Sequence, residues 1–308
     1  MSSILTNTAA MTALKNLQAT NSALQDTQNR ISTGLKVNSA ADNAGYWSIA
    51  TTMRSDKSAL DTVNSALGVG NSAVGVAYNG MDSAITVAQK LKDQLTAAAQ
   101  SGADRTKIQA QVEQYQDQLK QIADGSNFNG QNILSVDSTA TNFNATDSIM
   151  SSYTRTSAGV SIGTINIDVG STKLFDNTAS ASGPGLGILD KNFTGGTASV
   201  ATLDISGLTD SAADQSTLTG LIKGVDDAIS SMTTAASNLG AVQSRIKDQQ
   251  TFISSLSDSL TQGISSLVDA DMTTESTKLQ ALQVQQQLGT QALSIANQSS
   301  QSILKLFQ

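Results

Sequence analysis

From Val225 onward every seventh residue is apolar: Val225, Met232, Leu239, Ile246, Ile253, Leu260 and Leu267. A seven-residue spacing keeps side chains on one side of an α-helix, so the series predicts a continuous helix with a seam facing another helix. The companion series three positions ahead reads Ile222, Ile229, Ala236, Gln243, Gln250, Ser257 and Ile264, a second seam that turns polar in its middle. A helix spanning 222–267 is about 70 Å long. A rod of that length has no core of its own and needs partner helices along its whole length.

The N-terminal half offers those partners. Leu60, Val63, Leu67, Gly70, Val74, Ala77, Met81, Ala84, Ala88, Leu91, Leu95 and Ala98 keep an unbroken three–four spacing. The small residues Gly70, Ala77, Ala84 and Ala88 admit close approach by a neighbour. The glycines within 68–80 each cost about 1 kcal/mol of helix propensity relative to Ala, which predicts a locally weak stretch. A further helix is expected from Asp104, carried by Ile108, Val112, Tyr115, Leu119 and Ile122, with Gly125 as its C-cap. Proline, which breaks helix interiors, occurs once, at Pro184.

The chain ends read differently. Ala10, Leu17, Leu24 and Ile31 repeat every seven residues. Near the C-terminus Leu282, Leu293 and Leu304 are eleven apart, as are Val284, Ile295 and Leu306. An eleven-residue repeat favours a straight or slightly right-handed path. Asp271 suits the N-cap of this last helix, with Glu275 in its first turn or just beyond. Both stripes are thin and flanked by Gln, Asn, Ser and Thr, so each helix is marginal alone.

Between the helical halves, 136–210 is rich in Thr, Ser, Gly and Asn. Val160-Ser161-Ile162-Gly163-Thr164-Ile165-Asn166-Ile167-Asp168-Val169 alternates with period two, the mark of a strand. Glycine-rich turns are expected around Gly183-Pro184-Gly185 and Gly195-Gly196. The expected fold is therefore mainly α with a small β-rich insertion. The N- and C-terminal arms form a long antiparallel helical coiled-coil bundle. Three domains follow: 1–40 with 272–308, 41–135 with 211–271, and the insertion 136–210.

Composition narrows function. The chain has no Cys and no His. Disulfides, thiolate chemistry, zinc sites with those ligands and His acid–base catalysis are thereby excluded. Its 25 carboxylates include no EF-hand spacing, and no cofactor is called for. The net charge of -7 argues against a nucleic-acid partner, because phosphate binding is driven by Lys and Arg. No run of apolar residues is long enough to span a bilayer, so no membrane partner is expected. The first twenty residues hold one basic residue, Lys15, and spaced apolar residues, unlike a Sec-type signal. Aromatic residues make up 4% and charged residues 14%, so the polar surface is largely uncharged, which suits burial against copies of itself and equally suits plain solvation of Ser, Thr and Asn.

Several stretches resemble bacterial flagellins. They are Ile4-Leu5-Thr6-Asn7 followed by Ala9-Ala10-Met11-Thr12-Ala13-Leu14, and Ile31-Ser32-Thr33-Gly34-Leu35-Lys36-Val37-Asn38-Ser39-Ala40-Ala41-Asp42-Asn43-Ala44-Gly45. Phe128-Asn129-Gly130, Leu293-Ser294-Ile295-Ala296-Asn297-Gln298 and Ile303-Leu304-Lys305-Leu306-Phe307 add to them. Tyr46-Trp47-Ser48-Ile49-Ala50 resembles the rhizobial branch. The resemblance implies a secreted, non-enzymatic subunit of the extracellular flagellar filament. It implies an inner coiled-coil layer from 1–40 and 272–308, a second helical layer, and an insertion on the filament surface. It also implies the type III export route. The implied partners are copies of itself, possible sister flagellins, an export chaperone, a filament cap protein and hook-associated junction proteins.

The stripes at 222–267 and 60–98 are most simply intramolecular core. The terminal stripes are expected at subunit contacts, because no internal partner covers every side of both helices. Leu14, Leu17, Leu24, Ile31, Leu282, Leu293, Ile295, Leu304 and Leu306 are assigned there, with Trp47 at a junction or subunit contact. Arg30, Lys36, Asp42 and Arg54 cluster around the same link and read by default as solvated charge. The alternatives are a hook–filament junction or adhesin-like binding protein, which would lack the 31–45 link, and a secreted enzyme carried by the insertion.

Overall fold

A computed structural model describes residues 7–141, 143–156, 159–177, 186–193 and 198–306, with side chains to 298. Six helices and six strands are described. They run α1 (Thr8–Thr33), α2 (Ala44–Ala98), α3 (Arg105–Gly125), β1 (Asn127–Phe128), β2 (Gln131–Asn132) and β3 (Ser135–Val136). They continue with β4 (Thr146–Thr156), β5 (Gly159–Asp168), α4 (Val169–Thr172), β6 (Phe175–Asp176), α5 (Ala212–Val268) and α6 (Met272–Leu306). The fold is mainly α with a small strand-containing insertion, as the periodicities predict. The Cα packing divides into two units, Met1–Ser58 with Ser257–Gln308, and Ala59–Leu256. The expected glycine turns at 183–185 and 195–196 lie outside the described residues.

In the second unit, α2 and α5 run antiparallel. Lys92 Nζ lies 2.8 Å from Asp226 Oδ1. Farther along, the Tyr78 ring borders Gly240, and the Gln243 and Gln250 amides lie over Gly75 and Gly68. Apolar residues close most of the seam between them: Leu67, Val74, Met81, Leu91 and Leu95 of α2, and Val225, Met232, Leu239 and Ile246 of α5, are fully buried. Gln243 and Gln250 are the polar interruption read from the sequence, and glycines opposite them make the room they need.

The glycine-rich stretch of α2 is continuous helix rather than a break. Its glycines serve as notches. A Cβ on Gly70 would stand 2.6 Å from Ile149 Cγ2, so β4 sits directly on the α2 backbone there. A Cβ on Gly80 would meet Ser126 and Leu134. At Gly70 and Gly80 the lost propensity is offset by the apolar area that close approach buries.

α3 starts at an N-cap, Asp104, whose Oδ1 accepts from Lys107 N at 3.2 Å. It runs one residue past expectation, with Gly125 inside and Ser126 as C-cap. Its first residue, Arg105, is buried and binds three groups. Nε donates to Ala98 O at 3.0 Å, Nη1 to Leu208 O at 3.3 Å, and Nη2 to Asp210 Oδ1 at 2.7 Å. Asp210 also accepts from Gly102 N at 2.9 Å. The guanidinium fork thus ties the α2–α3 turn to the strand-free segment leading into α5.

The insertion is organised by a hairpin, β4 with β5, bulged between Met150 and Ser152. The apolar alternation of β5 changes parity along the strand. Ile165 and Ile167 point inward and are buried, whereas Val160 and Ile162 point outward at 53% and 55% exposure. A short parallel pair, β3 with β6, is flanked by the buried Leu134 and Leu174, and Leu189 N donates to Leu174 O at 2.9 Å. Leu189, Leu203 and Ile205 are buried as well. Beside it Lys173 Nζ lies 2.5 Å from Asp176 Oδ2 with both side chains buried. Asp190 Oδ2 accepts from Asp176 N at 2.6 Å. Burial pushes the Asp190 carboxyl above the ordinary carboxylate range.

Candidate assembly surface

The first unit brings the two chain ends together. α1 is capped by Asn7, whose Oδ1 accepts from Ala10 N at 3.0 Å, and ends at Gly34 in the left-handed region, φ 73°. α6 is capped by Asp271, as expected, with Oδ1 accepting from Thr273 N at 2.9 Å and Glu275 in the first turn. The Thr274 hydroxyl and the Thr274 and Thr273 N–H groups hold the Asp271 carboxyl below its ordinary range.

Between the two helices the chain folds against the end of α5. Leu35 bridges Asp269, and Lys36 N donates to Val268 O at 2.7 Å. Lys36 Nζ donates to Ser266 O at 2.8 Å. Asp42 Oδ2 accepts from Asn38 N and Ser39 N at 3.0 and 2.8 Å. Those N–H groups, Ser39 first, hold its carboxyl below the usual range. Val37, Ala50, Ile264 and Val268 make a small buried cluster here, with Leu35, Met53 and Leu267 packed on it. Three of the four charges noted from sequence are therefore engaged: Arg30, Lys36 and Asp42.

α1 and α6 run antiparallel. Arg30 Nη1 pairs with Glu275 Oε1 at 3.1 Å, Gln286 Nε2 donates to Asn21 Oδ1 at 2.8 Å, and Asn7 Nδ2 donates to Ala296 O at 3.0 Å. On α6 the seam reads Glu275, Leu279, Leu282, Gln286, Gly289, Leu293 and Ala296, alternately four and three apart and all at least partly covered. Opposite it, Leu17, Leu24 and Ile31 are half-buried, with Leu17 seated over Gly289. The seam is polar for its length. Thr27 Oγ1 and Glu275 Oε2 are buried with no hydrogen-bond partner among the described residues. Such groups subtract from stability, and α2 holds two of its own, Asn64 Oδ1 and Asn71 Oδ1. This pair is the weaker because Leu17, Leu24 and Ile31 stay half-buried where the apolar residues of the α2–α5 seam are fully buried.

α6 carries a second stripe, Ala281, Val284, Leu288, Ala292 and Ile295, turned away from α1. Val284, Leu288 and Ile295 are 54%, 58% and 67% exposed. The two eleven-residue series in the sequence thus point to different faces: Leu282 and Leu293 to α1, Val284 and Ile295 to solvent. Leu14 of α1 also faces outward at 45%, beside Met11 at 64%. Trp47 is partly exposed near the start of α2, flanked by the exposed Tyr46 and Ile49, while Ala50 is buried on the opposite side. Leu304 and Leu306 belong to α6, but their side chains lie outside the described residues. Met11, Tyr46, Ile49 and Leu288 were not singled out from sequence. The signal for Met11 and Leu288 was helical spacing to residues already noted: Met11 stands three before Leu14, and Leu288 four after Val284.

Among the described residues no group of three or more acidic residues is placed to hold a metal ion. No helix there is long and apolar enough to cross a membrane. Paired terminal arms with an apolar stripe left over define a helix-armed structural subunit. Residues 4–139 match the model of the bacterial flagellin N-terminal helical region, and residues 222–307 that of the C-terminal helical region. The chain is 44% identical to Flagellin C and 38% identical to Flagellin A of Rhizobium meliloti (strain 1021), over the whole of both chains in each case. It is 39% identical to a flagellin of Brucella melitensis, again over both full lengths. The chain belongs to the bacterial flagellin family, in its rhizobial branch. It is a structural subunit that polymerises into the flagellar filament for swimming motility.

Proposed function

We propose that the α1–α6 pair is the assembly device of this subunit and that its outward stripe is the contact surface. The observation that carries this reading is the second apolar face of α6, exposed at Val284, Leu288 and Ile295 while the first face is already occupied by α1. Three exposed large side chains in one line are costly in water and favourable once a neighbouring copy covers them. Leu14, Ile295 and Trp47 then touch neighbouring copies directly. Leu17, Leu24, Ile31, Leu282 and Leu293 hold the pair whose outer face makes the contact, and Leu304 and Leu306 extend it.

In the filament, 1–40 with 272–308 form the inner layer, 41–135 with 211–271 the next layer, and 136–210 the outer surface. The subunit works outside the cell and is not an enzyme, which agrees with the absence of His and Cys. Its partners are itself and sister flagellins, an export chaperone for α6, a cap protein during growth and junction proteins at the filament base. The uncovered apolar stripe before assembly is the physical reason a chaperone is needed.

The test replaces the stripe without touching the seam. A Val284→Ser, Leu288→Ser, Ile295→Ser variant is expected to keep monomer helicity by circular dichroism and to fail to elongate seeded filaments by electron microscopy. Elongation at the wild-type rate would rule the stripe out as a contact surface.

A further inference from the structure

The chain has two Asn-Gly dipeptides, Asn79–Gly80 and Asn129–Gly130, and the fold puts them in opposite circumstances. At Asn-Gly a side-chain amide is most open to attack by the following backbone nitrogen, because glycine has no Cβ to shield it. Gly80 lies inside α2, where its N–H belongs to the helical ladder and its Cα is covered by Ser126 and Leu134. Asn129 and Gly130 are exposed and form the two-residue loop between β1 and β2, with Phe128 paired to Gln131. Both have left-handed φ, 51° and 84°, as a type I′ turn requires. Asn129 is the only non-glycine among the described residues with positive φ. Within the loop Gly130 N–H donates to Asn127 Oδ1 at 2.9 Å.

We propose that Asn129 is a site of spontaneous deamidation and that Asn127 restrains it. In the reaction the Gly130 nitrogen gives its proton to water or hydroxide and attacks Asn129 Cγ. The new N–C bond closes a cyclic imide, the Cγ–Nδ2 bond breaks, and Nδ2 takes up a proton and leaves as ammonia. Water then opens the imide at either carbonyl, giving aspartate or isoaspartate. While Gly130 N–H is bonded to Asn127 Oδ1, the nucleophile keeps its proton and points away from Asn129 Cγ. Release of that bond is the step the reaction waits on.

The consequence reaches beyond the loop. Isoaspartate adds a backbone atom to a two-residue turn that has no slack, and it breaks the Phe128–Gln131 pairing. That pairing seats Asn132, whose Nδ2 donates to Ala123 O at 2.8 Å and Asp124 O at 3.2 Å, closing the end of α3. Asn132 Oδ1 accepts from Leu134 N at 2.9 Å and Ser135 N at 3.0 Å, where the insertion begins. Ageing at one exposed residue therefore loosens the joint between α3 and the insertion.

The experiment ages purified full-length chain at mildly alkaline pH and follows both Asn-Gly peptides by mass spectrometry, scoring isoaspartate with a methyltransferase. Wild type, Asn127→Ala and Asn127→Asp are compared; the last keeps an oxygen acceptor. Conversion is expected at Asn129 and not at Asn79. Asn127→Ala should react about fivefold faster, the effect of losing one hydrogen bond of ordinary net strength. Asn127→Asp should react no faster than wild type. Conversion at Asn79 as fast as at Asn129, or none at Asn129 in any variant, overturns the site. Equal rates in wild type and Asn127→Ala overturn the restraint. Hydrogen exchange on the wild type decides it without a substitution: the Gly130 amide should be protected, and an unprotected one also overturns the restraint.

Discussion

Asp190 and Asp42 show how single carboxylates respond to pH in opposite directions. Burial raises the Asp190 carboxyl above its value in an unfolded chain, so ionisation costs the folded state. Its contribution is fullest at acid pH and is lost as pH rises through the folded value. Asp190→Asn, which keeps an oxygen for Asp176 N, should therefore be more stable than wild type at neutral pH in urea titrations. The gap should close on acidification, and a gap that widened would contradict the assignment. Asp42, Asp210 and Asp271 are held below the ordinary range by N–H and hydroxyl donors and, for Asp210, by Arg105. Their contribution is present above the unfolded value and is lost as pH falls through the folded one, so the link between α1 and α2, which Asp42 holds, should loosen in acid.

Two further residues carry backbone joints. Gly70→Val places methyl groups where Ile149 already stands and should cost about 1–3 kcal/mol by overpacking, read from the urea midpoint. Arg105→Met leaves Ala98 O and Leu208 O without their donor and should cost about 2 kcal/mol by the same assay. Neither role was legible in the sequence. Gly70 reads there as a weak point of helix propensity, and Arg105 as an ordinary first-turn residue. The reason for each lies with atoms more than seventy positions away in the chain, Ile149 and Leu208.

At the scale of elements, periodicity served where one face meets one partner. The heptad from Val225 to Leu267 is α5, and its central apolar residues are buried as their spacing predicts. The same reading was incomplete at α2, which starts at Ala44, well before the stripe that begins at Leu60. Asn43 Oδ1 accepts from Tyr46 N at 3.1 Å and opens the helix there. Its first turns expose Tyr46, Trp47 and Ile49, so the apolar pattern does not mark a single face. In β5 the parity change hides which alternate residues are core, because the hairpin base rests on α2 and its tip does not. On α6 the two eleven-residue series were visible, but only pairing with α1 separates seam from stripe. Leu282→Ala, in the seam, should cost about 2–3 kcal/mol of pair stability, seen as faster amide exchange across α1 and α6. An unchanged exchange pattern would show that the seam does not hold the pair together.

At the scale of the whole molecule, the chain is two helical seams of unequal quality. The α2–α5 seam is closed by fully buried apolar residues, whereas the α1–α6 seam leaves Leu17, Leu24 and Ile31 half-buried and a second apolar stripe uncovered. That inequality predicts a subunit whose rod folds alone and whose ends gain order from neighbours. The single tryptophan reports on this directly. Trp47 is 36% exposed, so its emission should shift to the blue and resist acrylamide quenching when filaments form. No change would place it away from subunit contacts.

The most direct measurement compares the full chain with one lacking 1–40 and 272–308, following seeded polymerisation by light scattering and electron microscopy and helicity by circular dichroism. The full chain should form long filaments with a gain in helicity, while the shortened chain stays folded and monomeric. Filaments from the shortened chain, or its complete unfolding, would contradict the assignment of assembly to the terminal helices.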